Sequence, residues 1–243
     1  KPDGVGLGIA GILDHRAGAV TLSKLRWLEH KPLLSDLAAR LGCPVRMAND
    51  ADCFVLSEAV DGAGAAYHHV FGVILGTGVG GAQIVGKKLV TGPNGVNGEW
   101  GHVPLPHYEP EDGPLHGCHC GRSGCIETLL SGNGLVRLHR FRNPESPALA
   151  AHEISLLAGE GDVAALATLR HFYRLLAKGL SMIVMCFDPD AIVIGGGLRD
   201  LPRLYEEVAA LIPEYCFIKQ LRTALLPAQY DADSGVRGAA WLV

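Results

Sequence analysis

GCHCGRSGCIE, residues 117–127, places three of the chain's seven cysteines, Cys118, Cys120 and Cys125, within a short turn-forming stretch. Gly121 and Gly124 allow the backbone between them to fold tightly around one point. The start of the chain lacks the apolar region and small-residue cleavage site of a signal peptide, so we expect a cytoplasmic protein, in which disulfides are rare. Clustered thiols near histidines favour a zinc site, with reduced structural thiols as the alternative.

A tetrahedral zinc site needs a fourth ligand beside three thiolates. The nearest candidate is His102 in GEWGH, residues 98–102, and His107, His116 and His119 are alternatives. Three thiolates and one imidazole close the coordination shell, so no position remains for a reactive water. The pattern therefore predicts a structural zinc rather than a hydrolytic one.

The composition favours a compact α/β protein. Of 243 residues, 48% are hydrophobic, 19% are charged and 32 are glycines, which argues against a disordered or fibrous chain. The formal net charge of −4, without a long basic run, argues against binding to nucleic acid or to an anionic membrane surface. No apolar stretch in the sequence reaches the roughly 18 residues that a membrane span requires.

Apolar periodicity and turn residues predict alternating strands and helices. Strands are expected at 4–11, 44–48, 68–75, 82–92 (with a hairpin break near Gly86) and 191–194. Helices are expected at 32–41, 49–60, 128–141, 162–187 (one long helix or two abutting ones), 201–212 and 234–243. Pro32 is expected at the first helical position and Gly42 at a helix end. Residues 92–127 lack a regular period, which is typical of a functional or metal-held insert.

LGTGVGG, residues 75–81, is a predicted turn between two strands. Its G-x-G-x-G-G spacing and the strand that follows differ from a dinucleotide-binding motif, which opens a helix. The glycine amides and the Thr77 hydroxyl would suit a phosphate, and the alternative is a hairpin turn without a ligand. IVIGGGL, residues 192–198, fits either a flat adenine ring lying against its glycines or a plain strand-to-helix turn.

Asn49 and Asp50 lie where a predicted strand ends and a helix begins, which is the sheet edge at which α/β proteins bind ligands. Asp50 is a candidate general base, although the local sequence alone favours a helix N-cap. Asp52 is better explained by the helix dipole. The sequence contains neither the G-x-S-x-G motif of serine hydrolases nor a Walker GK[ST] loop.

Together these motifs resemble the ROK family of bacterial sugar kinases and related repressors. The combination of GExGH with C-x-C-G-x-x-G-C-x-E is highly specific, whereas the glycine loops alone are not. The matching segments cover essentially the whole chain: GIAG (8–11), NDAD (49–52), LGTGVGG (75–81), GEWGH (98–102), CHCGRSGCIE (118–127), DPDAIVIGGGL (188–198) and SGVRGAAWL (234–242).

The resemblance implies an α/β, two-lobed actin-like ATPase (ribonuclease H-like) fold with a structural zinc loop. The small lobe would comprise residues 1–57 and 231–243. The large lobe would comprise residues 58–230 and would include a zinc-binding insert at 98–127.

The resemblance also implies roles for individual side chains. Asp50 would be the catalytic base that takes the proton from the 6-hydroxyl of a sugar. The sugar would be bound by Asn49, Asp50, Glu99, His102 and Glu127, and the zinc would be held by His102, Cys118, Cys120 and Cys125. The zinc would pin two loops, so that Glu99 and Glu127 form opposing walls of a sugar pocket. His102 would serve both the zinc and the sugar, with one ring nitrogen for each.

For the second substrate the resemblance implies ATP with Mg²⁺ and in-line phosphoryl transfer. The phosphates would lie against Gly76, Thr77, Gly78, Gly80 and Gly81. The adenosine would lie against Gly195, Gly196 and Gly197. Closure of the two lobes would exclude water as a competing acceptor.

The chain departs from the family in one respect. Family kinases begin with a strand and a D-x-G-G-T loop that binds phosphate and Mg²⁺, and the 243 residues contain no such loop. We therefore expect this chain alone to be inactive.

Three functions are compatible with the sequence: an ATP-dependent sugar kinase, a sugar-responsive ROK repressor and a zinc-knuckle binding module. Asp50 and the glycine loop favour the kinase, because a repressor needs neither. GEWGHVPLP and GVRGAAW resemble fructokinases and mannokinases, whereas KPLLSDLAARL, DCFVLSEA and LGTGVGG resemble N-acetylglucosamine kinases. We expect N-acetyl-D-glucosamine as the substrate, with fructose, mannose and glucose as alternatives. The sequence leaves both a monomer and a homodimer open.

Overall fold

A computed structural model of the chain describes residues 2–14, 17–23, 26–230 and 233–243. The strands are β1 (Val5–Ile9), β2 (Ile12–Asp14), β3 (Ala19–Leu22), β4 (Val45–Asn49), β5 (His69–Leu75), β6 (Val79–Val85), β7 (Lys88–Leu89), β8 (Ala191–Gly195) and β9 (Ala224–Pro227). The helices are α1 (Leu33–Leu41), α2 (Asp50–Val60), α3 (Ile126–Leu130), α4 (Gly132–Arg142), α5 (Ala151–Gly159), α6 (Val163–Phe187), α7 (Leu204–Leu211) and α8 (Ser234–Ala240).

The strands form three sheets among the described residues. β1 pairs in parallel with β4, from Val5 opposite Val45 to Ile9 opposite Asn49. β2 and β3 form an antiparallel pair, and the largest sheet has the order β7-β6-β5-β8-β9. The β6–β7 pair in this sheet is antiparallel and the β8–β9 pair is parallel. Mixed sheets with helices between strands confirm the predicted α/β class.

The chain divides into two compact units: Lys1–Val73, Gly81–Glu99 and Ala228–Val243 form unit 1, and Ile74–Gly80 with Trp100–Pro227 form unit 2. The predicted lobe boundaries, 1–57 with 231–243 against 58–230, stay a prediction. Residues 1 and 231, where the two small-lobe segments would begin, lie outside the described residues.

In unit 1, helix α8 packs against β1 and α2. The contact is close because two glycines lie in it: a Cβ at Gly6 would overlap the backbone of Ala239, and a Cβ at Gly238 would overlap the backbone of Cys53. The buried Glu58 side chain of α2 accepts hydrogen bonds from the Tyr230 amide (2.9 Å) and the Ser234 hydroxyl (2.8 Å). This carboxylate links α2 to Tyr230 and to Ser234, the first residue of α8.

In unit 2, the long helix α6 supplies much of the core, with Phe172, Leu175, Leu176 and Leu180 wholly buried. Lys178 lies on the same helix with no exposed surface, although lysine is rarely buried without a partner. The carboxylates of Asp112, at 2.8 Å, and of Glu109, at 3.1 Å, compensate its charge. Strand β8 is buried along its whole length, as expected for a central strand.

Most of the predicted elements are confirmed. Residues 162–187 form one helix rather than two, and Gly42 ends α1 with a left-handed φ of 65°. Pro32 is a correction: it flanks α1 as the N-cap residue, and the helix begins at Leu33. The sequence did not predict β2, β3, β9 or α5. Among the described residues, no helix is both long and apolar enough to span a bilayer.

Candidate functional site

The cysteine turn and His102 converge in unit 2. His102 ends a 3₁₀ turn, Trp100–His102, while Cys125 lies at the N-terminus of α3. The Cys118 amide donates to the Arg122 carbonyl at 2.7 Å and the Gly121 amide donates to the Cys118 carbonyl at 3.0 Å, so the intervening chain folds back on itself. Gly121 has a left-handed φ of 88°, which glycine adopts without strain. The ligand atoms of His102, Cys118, Cys120 and Cys125 all lie within 4.8 Å of one another.

The spacing of these atoms fits a tetrahedral zinc. Cys120 Sγ lies 3.6 Å from Cys125 Sγ, and Cys118 Sγ lies 3.4 Å from His102 Nδ1. Zinc bonds of about 2.3 Å to sulfur and about 2.0 Å to nitrogen place two sulfurs about 3.8 Å apart and a sulfur and a nitrogen about 3.5 Å apart. All cysteines are free, and a disulfide would need about 2.05 Å between sulfurs.

The thiols differ in their readiness to ionise. Hydrogen bonds from the Arg122 backbone and side chain lower the pKa of the Cys120 thiol to about 6. Burial raises the pKa of Cys125 to about 12 and also raises that of Cys118. Because zinc binds the thiolate, a cation at this site would favour the ionised forms that burial disfavours.

Glu127, on the first turn of α3, connects the cysteine turn with the glycine turn. Its Oε2 accepts a hydrogen bond from the Val79 amide at 3.1 Å, and its Oε1 lies 3.0 Å from His119 Nδ1. A Cβ at Gly78 would lie 2.5 Å from Oε2, so glycine is required where the carboxylate passes. These contacts join the cysteine turn to the glycine turn, which are separate motifs in the sequence.

Only part of LGTGVGG forms the turn. Gly76, Thr77 and Gly78 link the strands, while Gly80 and Gly81 lie inside β6. The Gly80 carbonyl accepts from the Trp100 indole at 2.9 Å, and the Gly76 carbonyl accepts from the Gly132 amide at 2.8 Å. The predicted turn between two strands is confirmed, and its role in phosphate binding stays a prediction.

The second glycine motif lies against the end of β5. Gly195 ends β8, Gly196 has φ 83°, and the Leu198 amide donates to the Leu75 carbonyl at 3.1 Å. A Cβ at Gly196 would lie 2.6 Å from the Leu75 carbonyl oxygen, whereas a Cβ at Gly197 would meet open space. Gly196 therefore allows the two backbones to approach, and Gly197 leaves an open surface beside them.

In unit 1, the start of α2 is held by a capping box. Asn49, not Asp50, is the N-cap residue, which corrects the local reading of the sequence. Asn49 Oδ1 accepts from the Ala51 amide at 2.7 Å, and Asp52 Oδ2 accepts from the Asn49 amide at 3.3 Å. Asp52 therefore completes the cap, in addition to lying near the positive end of the helix dipole.

The carboxylates around this cap affect one another. Burial, as the largest cause, and the negative charges of Glu99 and Asp50 together raise the pKa of Asp52 to about 7, against the opposing hydrogen bond from the Asn49 backbone. Asn49 Nδ2 also donates to the Gly11 carbonyl at 2.9 Å. Three of the predicted sugar-binding residues, Asn49, Asp50 and Glu99, thus belong to unit 1, and His102 and Glu127 belong to unit 2.

Two contacts in unit 2, between His119 and Glu127 and between Lys178 and Asp112, were not predicted from the sequence. His119 was considered only as an alternative zinc ligand, and Lys178 was not singled out. The signals were a histidine inside the cysteine motif and a lysine inside an otherwise apolar helix.

The N-acetyl-D-glucosamine kinase of Pasteurella multocida (strain Pm70) is 38% identical over 247 residues, covering 98% of this chain and 79% of that protein. The crystal structure of a ROK hexokinase from Thermus thermophilus superposes with a TM-score of 0.84 at 28% identity, covering all of this chain and 79% of that one. A ROK glucokinase from Streptomyces griseus, in complex with glucose and AMPPNP, superposes with a TM-score of 0.81 at 32% identity, covering 100% and 82% of the two chains. The ROK family profile matches residues 2–243, and the chain belongs to the ROK family.

Proposed function

We propose that the protein is an ATP-dependent sugar kinase that phosphorylates the 6-hydroxyl of N-acetyl-D-glucosamine. The observation that carries this proposal is the 38% identity to an N-acetyl-D-glucosamine kinase across 98% of the chain. The intact NDAD segment at the start of α2 and the glycine turn before β6 support a kinase over a repressor, since sensing a sugar requires neither. Because ATP is the phosphoryl donor, we place the protein in the cytoplasm.

The sugar is bound by Asn49, Asp50, Glu99, His102 and Glu127. Carboxylates suit this task because each can accept hydrogen bonds from neighbouring hydroxyl groups. The capping box supports a role for Asp50, because it fixes the backbone immediately before that residue. Asp50 accepts the proton of the 6-hydroxyl while the hydroxyl oxygen attacks the γ-phosphorus of ATP. The bond between the γ-phosphorus and the leaving ADP oxygen breaks in the same step.

The ATP phosphates lie against Gly76, Thr77 and Gly78. The neighbouring Gly80 and Gly81 belong to the same phosphate-binding segment. Gly195, Gly196 and Gly197 lie beside the adenosine. The absence of a nearby atom at a Cβ position of Gly76 and of Gly197 supports this assignment, because both leave room for a ligand. Mg²⁺ bound with ATP supplies positive charge that offsets the charge of the phosphates during transfer.

Zinc is the ion that suits the cysteine cluster, and it would be held by His102, Cys118, Cys120 and Cys125. The separations of these atoms support four ligands at tetrahedral angles, so the ion has a structural role. When bound, it connects the turn of residues 118–125 to the 3₁₀ turn that ends at His102. Since Glu127 lies two residues after Cys125, in the first turn of α3, the same site would fix the backbone position from which the Glu127 side chain extends.

Glucose is the second candidate substrate, favoured by the 32% identity to the glucokinase that binds glucose and AMPPNP. Fructose and mannose remain to be compared in the same experiment. The test is ADP formation by the protein expressed from its native reading frame, with ATP, Mg²⁺ and each of the four sugars. We expect the highest kcat/KM with N-acetyl-D-glucosamine, and no sugar-dependent ADP formation would refute the kinase.

A further inference from the structure

His119 lies between two of the clustered cysteines, yet its ring faces Glu127. His119 Nδ1 is 3.0 Å from Glu127 Oε1, whereas it is 3.9 Å from Cys118 Sγ. The nitrogen that faces Cys118 most closely belongs to His102, at 3.4 Å. The side chain of His119 is 58% exposed and that of Glu127 is 18% exposed. The histidine is therefore the more exposed member of the pair.

The other oxygen of Glu127 is held from the opposite direction. Glu127 Oε2 accepts from the Val79 amide at 3.1 Å, at the point where the glycine turn becomes β6. A carboxylate that is contacted at both oxygens has a more defined orientation than one contacted at a single oxygen. Without His119, the Val79 amide and the longer contact from Cys118 Sγ to Oε1, at 3.8 Å, would hold the carboxylate less firmly.

A second contact orients the histidine itself. The His119 and His102 rings meet edge to face, with centroids 4.8 Å apart and planes at 82°. Such contacts favour one ring orientation. His119 lies between Cys118 and Cys120, which both belong to the cysteine cluster.

We propose that His119 is a positioning residue for sugar binding: its Nδ1–H donates to Glu127 Oε1 and, together with the Val79 amide, sets the orientation in which Glu127 meets the sugar. The inference rests on the proposed function of Glu127. In this role His119 is not a zinc ligand and does not touch the transferred phosphoryl group. It links the orientation of one sugar-binding carboxylate to the cysteine turn.

The test compares three substitutions in the natively expressed, zinc-loaded protein. His119→Phe keeps a ring but removes the donor, His119→Asn keeps an amide donor near the position of Nδ1, and His152→Phe alters an exposed histidine on α5 as the matched control. For His119→Phe we expect the KM for N-acetyl-D-glucosamine to rise about tenfold, as for loss of one hydrogen bond to a charged group, with the KM for ATP changed less than about twofold. His119→Asn should restore most of the loss, and the control should match the wild type.

Two further measurements do not depend on catalysis. Zinc should stay near one equivalent per chain in every variant, and a loss of zinc in His119→Phe would overturn the proposal by making His119 a ligand. The amide resonance of Val79, recorded without sugar or ATP, should shift in His119→Phe but not in His152→Phe. An unchanged Val79 resonance with an unchanged sugar KM would also overturn it. If the wild type phosphorylates no sugar, the proposed function fails, while the Val79 resonance still reports whether the contact exists.

Discussion

Replacing Lys178 by methionine should destabilise unit 2 strongly. Lys178 Nζ lies 2.8 Å from Asp112 Oδ2 and 3.1 Å from Glu109 Oε2, and Lys178 and Asp112 are 0% and 1% exposed. Methionine fills much of the same space but leaves the Asp112 carboxylate buried without its closest cation. His171 Nε2 is 3.6 Å from the other oxygen of Asp112 and compensates only in part. Breaking a buried pair by removing one partner costs about 3–5 kcal/mol.

A loss of this size should lower the melting temperature by about 10 °C, because 1 kcal/mol corresponds to roughly 2–4 °C in a domain of this size. The assay is thermal unfolding followed by circular dichroism, together with urea unfolding for the free energy. Lys219→Met, which alters an exposed lysine, is the control and should change the melting temperature by less than about 2 °C. If Lys178→Met melted at the same temperature as the control, the stability of buried Asp112 would not depend on Lys178.

Three other outcomes are expected. Cys125→Ser should bind less zinc than the wild type, for which elemental analysis should find near one equivalent per chain. A wild-type protein that is purified with almost no zinc would contradict the metal assignment. Asp50→Asn should lower kcat by about 10²–10⁴-fold with sugar binding largely retained. The control Asp36→Asn, at an exposed position of α1, should leave kcat unchanged. If Asp50→Asn kept more than about a tenth of the wild-type rate, Asp50 would have only a structural role. The pKa of Asp52 is raised from 3.8 to about 7, so the folded state holds its proton more tightly. Its contribution to stability is then full below about pH 4 and is lost as the pH rises to about 7. Asp52→Asn should therefore make the urea unfolding midpoint depend less on pH across that range. An equal pH dependence of the midpoint in both proteins would argue against the raised pKa.

Local patterns were sufficient for the regular elements. The apolar spacing of 162–187 predicted α6, and Gly42 marked the end of α1 because its left-handed backbone suits glycine. The elements that the sequence missed are short or depend on tertiary partners. Strand β9 ends at Pro227 and is defined by its pairing with β8, and β2 and β3 are joined through an irregular register.

The candidate site was predictable in its residue types but not in its connections. The cysteine spacing indicated a cluster, and the structure brings His102 into it. The contact between Glu127 and the Val79 amide joins positions 48 residues apart, and the pair of Lys178 and Asp112 joins positions 66 apart. Such pairs depend on the tertiary packing of segments that are distant in sequence, so no local periodicity predicts them. The N-cap was misplaced by one residue, because Asn and Asp are both favoured there and adjacent.

The most direct test of the account is a competition experiment with the natively expressed protein. N-acetyl-D-glucosamine, glucose, fructose and mannose are supplied together at equal concentration with ATP and Mg²⁺, and the phosphorylated products are identified by mass and by the position of the phosphate. We expect N-acetyl-D-glucosamine 6-phosphate as the main product, formed in step with ADP. A different main product would contradict the substrate, and ADP without any phosphorylated sugar would contradict the kinase itself.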